Sequence, residues 1–265
     1  MDHRIPVAGR REKRFYTLFF TVLLAFFTVA TLLTQYNPFQ LLFQGEAFWT
    51  FLTQDFLPPT LKDPAGILSA ILTTVALAVS ATSCALVLGF VAAVFASPRT
   101  SIFPRGAKVL RALVTLVRNI PSLIWAFILF SALGIGTGVA FVALTISSFA
   151  FMTRTFIEVI DELADSSLEA LTAAGANFPQ KVAHGVVPNC LLDFIEWYLY
   201  CMELNIRSST IVGMVGGGGI GLVLFTYIKS FNYPAAAGII LIIAALVIAV
   251  DRLMAYTRQK VLNEA

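Results

Sequence analysis

About six apolar runs punctuate the chain, separated by short polar breaks, and each is long enough to read as a membrane-crossing helix. The first, Phe15 to Thr34, holds about 20 residues, which at about 1.5 Å per residue matches a hydrocarbon core about 30 Å thick. Gln35-Tyr36-Asn37-Pro38 then reads as its exit. The others run from about Gly66 to Ala96, Ala112 to Leu133, Gly138 to Phe156, Asn189 to Val212 and Ala235 to Tyr256. The fifth is ambiguous, because Asp193, Glu196, Glu203 and Arg207 make it polar while Thr210 to Ile228 is apolar and glycine-rich. We take Asn189 to Val212 as the crossing and Gly213 to Pro234 as an outer re-entrant or interfacial segment.

Composition agrees: 58% of residues are hydrophobic and only 12% charged, with a mean hydropathy of +0.84. A soluble domain carries about 25% charged residues. The pattern predicts an all-α, polytopic membrane protein. Basic residues collect on one side of these runs. Arg4, Arg10, Arg11, Lys13 and Arg14 precede the first, Arg99, Arg105, Lys108 and Arg111 follow the second, and Arg252, Arg258 and Lys260 lie in the tail. The loop from Gln35 to Ala65 holds only Lys62. Positive charge stays in the cytoplasm, so both termini are expected there. A cleaved leader also begins with basic residues, but no small-x-small site follows Thr34, so an anchored span is the better reading.

Familiar chemistry is excluded by inspection. Cys84, Cys190 and Cys201 lack metal-ligand or disulfide spacing, and read as packing residues. His3 and His184 lie in a basic tail and a loop. There is no His-Glu-x-x-His and no Gly-x-Ser-x-Gly. The run Gly216-Gly217-Gly218-Gly219-Ile220-Gly221 is not followed by Lys and Ser/Thr, so it cannot cradle a nucleotide's phosphates. These glycines suit close helix packing or a backbone bend.

One polar stretch interrupts the apolar pattern between the fourth and fifth runs. Ser166-Ser167-Leu168-Glu169 fits a capping box, and Asp161, Glu162 and Asp165 suit the positive end of a helix dipole. Glu162, Asp165 and Glu169 fall on one helical face, with Leu163, Leu168 and Leu171 opposite. Gly175 stands where a left-handed C-terminal residue is wanted, and Asn177-Phe178-Pro179 opens a second turn or helix. A loop lying against the bilayer is the competing reading, but acidic residues are poorly suited to anionic lipid.

The segment Glu169-Ala170, then Gly175, then Pro188 resembles the EAA loop of the permease subunits of binding-protein-dependent ABC importers. It departs from that pattern at Leu171, where alanine is usual, at Gly185, where isoleucine is usual, and at Val187, where leucine is usual. Arg118-Asn119-Ile120-Pro121-Ser122-Leu123-Ile124-Trp125-Ala126 and the stretch from Asn205 to Gly221 resemble the phosphonate-import subgroup. The resemblance covers about Gly66 to Tyr256. It implies a type I importer fold in a prokaryotic inner membrane. It also implies a homodimer, two cytoplasmic subunits that bind ATP and Mg, and an extracytoplasmic binding protein, with no cofactor on this chain. The cargo would be phosphonate or a related oxyanion such as phosphite or a phosphate ester. Residues 1–65 would be a tail, first span and outer loop, 66–256 the permease core with a coupling loop at 157–188, and 257–265 a cytoplasmic tail. Leu168, Glu169, Ala170, Leu171, Gly175 and Pro188 are then the candidates for coupling to the ATPase, with the two leucines as its anchors.

Charges inside apolar runs are costly and carry functional suspicion. Glu203 and Arg207 are spaced for an ion pair along one helix, with Glu196 on roughly the same face. A structural pair is one reading; the other is that Arg118, Glu203 and Arg207 border a path for an anion, since guanidinium matches phosphoryl oxygens with two donors. Trp197, Tyr198 and Tyr200 suit a headgroup level, as do Trp49 and Phe56 in the outer loop. Pro58, Pro59 and Pro64 would stiffen that loop. An intramembrane enzyme using Glu196, Glu203 or His184 is the alternative from another class, and it lacks a nucleophile or metal constellation.

Overall fold

The computed structural model describes residues 9–35 and 45–263, which fall into two compact units, Met1–Asp55 and Phe56–Ala265. His3, Arg4, Tyr36-Asn37-Pro38, residues 39–44 of the outer loop and the last two residues of the tail lie outside the described residues.

In the first unit, α1 (Arg10–Thr34) carries the first predicted span and begins five residues before it. The N–H of Gly9 donates to the Glu12 carboxylate at 2.8 Å, and Gln35 ends the helix in the left-handed region at φ 51°. Phe19, Phe20, Val22, Leu24 and Leu32 are all exposed and lie on every side of the helix, so it is apolar all round, as a span surrounded by lipid can be. A short helix, α2 (Gly45–Thr50), runs into a π-helical turn at Phe51–Phe56.

The second unit is built on two long helices, α3 (Pro64–Ala96) and α6 (Thr137–Leu163), which make the most extensive packing in the molecule. α3 turns small residues inward at helical spacing, among them Ala70, Ala78, Ala81, Ala85, Gly89 and Ala93. These let α6 approach closely: a Cβ on Gly89 would stand 3.1 Å from Met152 Cβ. Apolar lipid gives helices no hydrophobic drive to associate, so such close packing, with interhelical hydrogen bonds, holds them together. One supplies the junction: buried Asn205 donates to Thr82 Oγ1 and to Ser148 Oγ, both at 2.7 Å. It ties α3 and α6 to α9 (Val187–Val212).

The predicted third span, Ala112 to Leu133, is not one helix. α4 (Pro104–Arg118) and α5 (Ser122–Leu133) meet at a 91° bend. The cause is Pro121, which lacks an N–H and drives Ile120 away from helical geometry. The fourth run, read as Gly138 to Phe156, continues to Leu163 as α6, because its polar end keeps helical spacing. After α6 come α7 (Asp165–Ala173), α8 (Phe178–Lys181) with a π-helical turn at Val182–Val186, and α9. A turn at Gly213–Gly217 leads into α10 (Gly219–Lys229), and α11 (Tyr233–Asn263) closes the bundle.

Among the described residues, α1, α3, α6 and α11 are each long and apolar enough to cross a membrane. Two bent pairs, α4 with α5 and the α8–α9 segment with α10, pass the same test jointly. The second is bent by 54°, so the two competing positions for the fifth crossing belong to one broken element. α10 buries Ile220 and Leu224 against Ile67, Ala70 and Ile239, while Leu222, Phe225 and Ile228 on its other side are exposed.

Candidate functional site

The polar hairpin sits where α6 ends. Ala164 bridges α6 and α7 in helical geometry, and the N–H of Leu168 bonds to its carbonyl at 2.9 Å. The predicted capping box is therefore absent: Ser166, Ser167 and Glu169 lie within α7, and no side chain caps it. The stop is as expected. Gly175 takes φ +79°, its N–H reaches Thr172 O at 3.0 Å and that of Ala176 reaches Leu171 O at 2.9 Å. This pair of bonds is a Schellman ending. Asn177 then opens α8 with a capping box, its side chain accepting from Gln180 N–H at 3.0 Å while Gln180 accepts from Asn177 N–H at 2.8 Å.

Leu168 points inward, and not to a partner as the sequence suggested, while Leu163 of the same predicted face is exposed. Leu168 is 4% exposed within the core formed by Met152, Phe156, Ile160 and Val186. Leu171 is half-buried beside it. Both cover Gly185, where a Cβ would stand 3.0 Å from Leu168 Cδ2 and from Leu171 Cδ1. Glu169, Ala170, Ala173 and Gly175 remain exposed. Pro188 is exposed in the first turn of α9, where its missing N–H costs nothing. Asn189 closes the hairpin, donating to Gly185 O at 2.6 Å and to Ser167 Oγ at 3.2 Å.

A second set of bonds fastens the hairpin to the loop between α3 and α4. Ser97 Oγ donates to Asp161 at 2.5 Å, and Arg99 pairs with Asp165 at 2.9 Å. Arg111 donates to Ala96 O at 2.6 Å. Pro98, Arg99, Asp165, Glu169, Thr172 and Ala173 line an open groove between this loop and α7. Sequence reasoning missed Ser97 and Arg99, because they lie more than 60 residues from their partners and carry no motif.

The charged candidates are gathered on the seam of α9 and α11. Arg207 bonds Glu203 at 2.5 Å and Asp251 at 3.2 Å, and Glu196 lies 3.4 Å from Arg258. Asp251 was overlooked; a lone carboxylate in an apolar run was the available signal. Arg118 stands elsewhere, at the bend after α4, with its guanidinium over the Phe151 ring at 5.5 Å. His184 is exposed in the π-helical turn. Trp197 and Tyr198 are half-buried and Tyr200 is exposed: Trp197 meets Phe151 edge-on at 5.9 Å and the Tyr198 hydroxyl lies 3.1 Å from Ser83 Oγ.

The glycine run makes the 54° bend from α9 to α10. Gly216, Gly218 and Gly219 have φ of +115°, +82° and +69°, and a Cβ on Gly217 would stand 2.8 Å from that of Ala140. Thr74 of α3 holds the break, accepting from Ile220 N–H at 2.8 Å while its carbonyl accepts from Ser209 Oγ at 3.3 Å.

A bundle of apolar helices with a stiff polar hairpin at the end of its central helix defines a multi-pass membrane component. The chain belongs to the family of binding-protein-dependent transport system inner membrane components, which it matches over residues 85–263. It is 32% identical to the phosphite transport system permease protein PtxC of Stutzerimonas stutzeri over 200 residues, 76% of this chain and 73% of that one. It is 30% identical to the phosphate-import permease protein PhnE of Mycolicibacterium smegmatis over 212 residues, 80% of this chain but only 40% of that relative. The chain thus spans less than half of the mycobacterial protein it matches. In fold it is similar to the inward-facing MetNI methionine ABC transporter, with a TM-score of 0.65 and 21% identity over 74% of this chain and 96% of that one. The resemblance to importer permeases is borne out, as is the all-α, type I permease-like fold.

Proposed function

We propose that this chain is the membrane-spanning subunit of an ATP-driven importer for phosphite, phosphonate or a related small oxyanion. Two copies would form the pathway, two cytoplasmic ATPase subunits would supply ATP and Mg, and an extracytoplasmic binding protein would deliver the cargo. Both termini and the hairpin would face the cytoplasm. The observation that carries the reading is the hairpin itself. A rigidly terminated helix rests on the chain's own core through Leu168 and leaves Glu169, Ala170 and Ala173 exposed. Such an element moves with α6 and α9 when a partner pushes on it. The relatives' names support the cargo.

The test is growth of a strain lacking the gene on phosphite, methylphosphonate or phosphate as sole phosphorus source, with uptake of labelled anion. Loss of growth on one of these, restored by the wild-type gene, supports the reading. Unimpaired uptake of all three, with uptake of an unrelated solute lost, would replace the cargo.

A further inference from the structure

The two polar links between the hairpin and the loop after α3 straddle a joint. Ala164 alone separates α6 from α7, and its φ of −95° and ψ of −5° are off the ideal helical values. Ser97 Oγ donates at 2.5 Å to Asp161, just before the joint. Arg99 pairs at 2.9 Å with Asp165, just after it. One loop thus grips both sides of Ala164.

That loop is an extension of α3. The N–H of Ser97 bonds to Ala93 O at 2.8 Å, and that of Ser101 to Ser97 O at 2.9 Å. Thr100 Oγ1 donates to Val94 O, and the N–H of Arg99 donates to Ser97 Oγ at 3.1 Å. Arg111 holds Ala96 O. α7 itself makes its larger contacts with the turn at Val182–Val186, the end of α6 and α8, so the loop gives it a route to α3.

Stability is a poor explanation for the outer link. Leu168 already seats α7 in the core, and Asn189 ties Ser167 to the following turn. The side chains of Arg99 and Asp165 are 52% and 43% exposed, and an ion pair so open to water holds little. It fixes the angle of α7 without being needed to fold it. The inner link is firmer, since Ser97 is buried and its bond to Asp161 is charge-assisted.

The far end of α3 meets the glycine break. From Ser97 back to Thr74 the helix runs about 35 Å. Thr74 Oγ1 accepts from Ile220 N–H at 2.8 Å, and a Cβ on Gly219 would overlap that oxygen. A shift of α3 is therefore felt where Gly216, Gly218 and Gly219 leave the backbone free to change.

We propose that Ser97 and Arg99 are positioning residues that splint the α6–α7 joint to α3, so that displacement of the hairpin reaches the glycine break through α3. Rigid helices fastened by hydrogen bonds carry such a displacement. The proposal rests on the importer reading for what pushes the hairpin, and on the geometry alone for the splint.

The test measures labelled phosphite, or the anion that the growth test selects, taken up per ATP hydrolysed. It uses the complete complex in proteoliposomes with its binding protein. Arg99→Gln and Ser97→Ala should each lower this ratio roughly threefold while ATP hydrolysis continues. Arg99→Gln should leave the melting temperature within about 2 °C of wild type, because the pair is exposed. Exchanging the charges, Arg99→Asp with Asp165→Arg, should restore most of the ratio. Thr74→Val, which cuts the far end, should also lower it, and Thr74→Ser, which keeps the hydroxyl, should not. Arg99→Gln combined with Thr74→Val should do no more than the larger single change, as two cuts in one path must. An unchanged ratio in Arg99→Gln and Ser97→Ala, no recovery on exchange, or fully additive losses would each overturn the splint. A wild-type complex whose ATP hydrolysis does not respond to anion and binding protein would instead overturn the importer reading, and with it the proposal.

Discussion

Leu171 and Gly185 fill one space: a Cβ at Gly185 would stand 3.0 Å from Leu171 Cδ1. These are two of the positions where the hairpin departs from its family's usual pattern, and they depart in opposite senses. A larger residue in α7 is matched by the loss of a side chain in the turn that faces it. In this chain the two positions share one space, and a side chain at Gly185 would have to exchange volume with Leu171.

The exchange predicts a coupled pair. Gly185→Ile alone overpacks the hairpin against Leu168 and Leu171, and should cost about 1–3 kcal/mol. Leu171→Ala alone opens a void. Together they should recover much of the loss, with an interaction energy on the order of 1 kcal/mol. Melting temperatures of the purified complex in detergent read the cycle, and strict additivity would contradict the shared space.

Gly175 sits at φ +79°, and a Cβ added there would meet nothing within 4 Å. A substitution meets backbone strain and no clash, of about 1–2 kcal/mol. Gly175→Asn, which tolerates the left-handed region, should behave as wild type. Gly175→Leu should leave the protein in the membrane but reduce substrate-stimulated ATP hydrolysis by the complex, since the turn after α7 can no longer hold its shape. Equal ATPase stimulation in both variants would remove the hairpin's ending from the coupling path.

Much of the fold was legible in the sequence, for definite reasons. A crossing demands about 20 apolar residues, so length alone located α3, α6 and α11. Gly175 and Asn177 were legible because caps are local chemistry. The direction of Leu168 was not, since an amphipathic helix shows which residues share a face but not what covers it. The break at Pro121 was hidden by the apolar residues on both sides of it. Ser97 and Arg99 carried no signal, because their partners lie more than 60 residues away; Asn205 and Asp251 could be seen as polar residues in apolar runs, but their partners are distant in sequence and only the fold brings them together.

Asn205 offers a test of the interior. Its amide joins three helices through Thr82 and Ser148, and Asn205→Leu would leave both hydroxyls without that donor. Hydrogen bonds between membrane helices average about 0.6 kcal/mol and reach about 1.7 kcal/mol. Asn205→Leu should therefore lower the melting temperature by a few degrees, and Asn205→Gln by as much or more because its longer chain must displace α3 or α6. A rise in stability with leucine would show that the junction is kept for a purpose other than holding the helices.

Arg207 stands between two carboxylates, so its charge is more than neutralised where it was expected to attract an anion. Removing it as Arg207→Gln leaves Glu203 and Asp251 facing each other without a cation. In a fully buried site that would cost about 3–5 kcal/mol. Here Arg207 and Asp251 are 45% and 40% exposed, so the loss should be nearer about 1 kcal/mol, a shift of roughly 2–4 °C. Arg207→Gln with Asp251→Asn removes one charge of each sign and should restore most of that stability. Anion uptake by the double variant separates the two roles. Near-normal uptake makes the cluster a clamp between α9 and α11. Uptake that stays low in a protein as stable as wild type assigns Arg207 to the path, with its carboxylates as the partners it must leave when the anion passes.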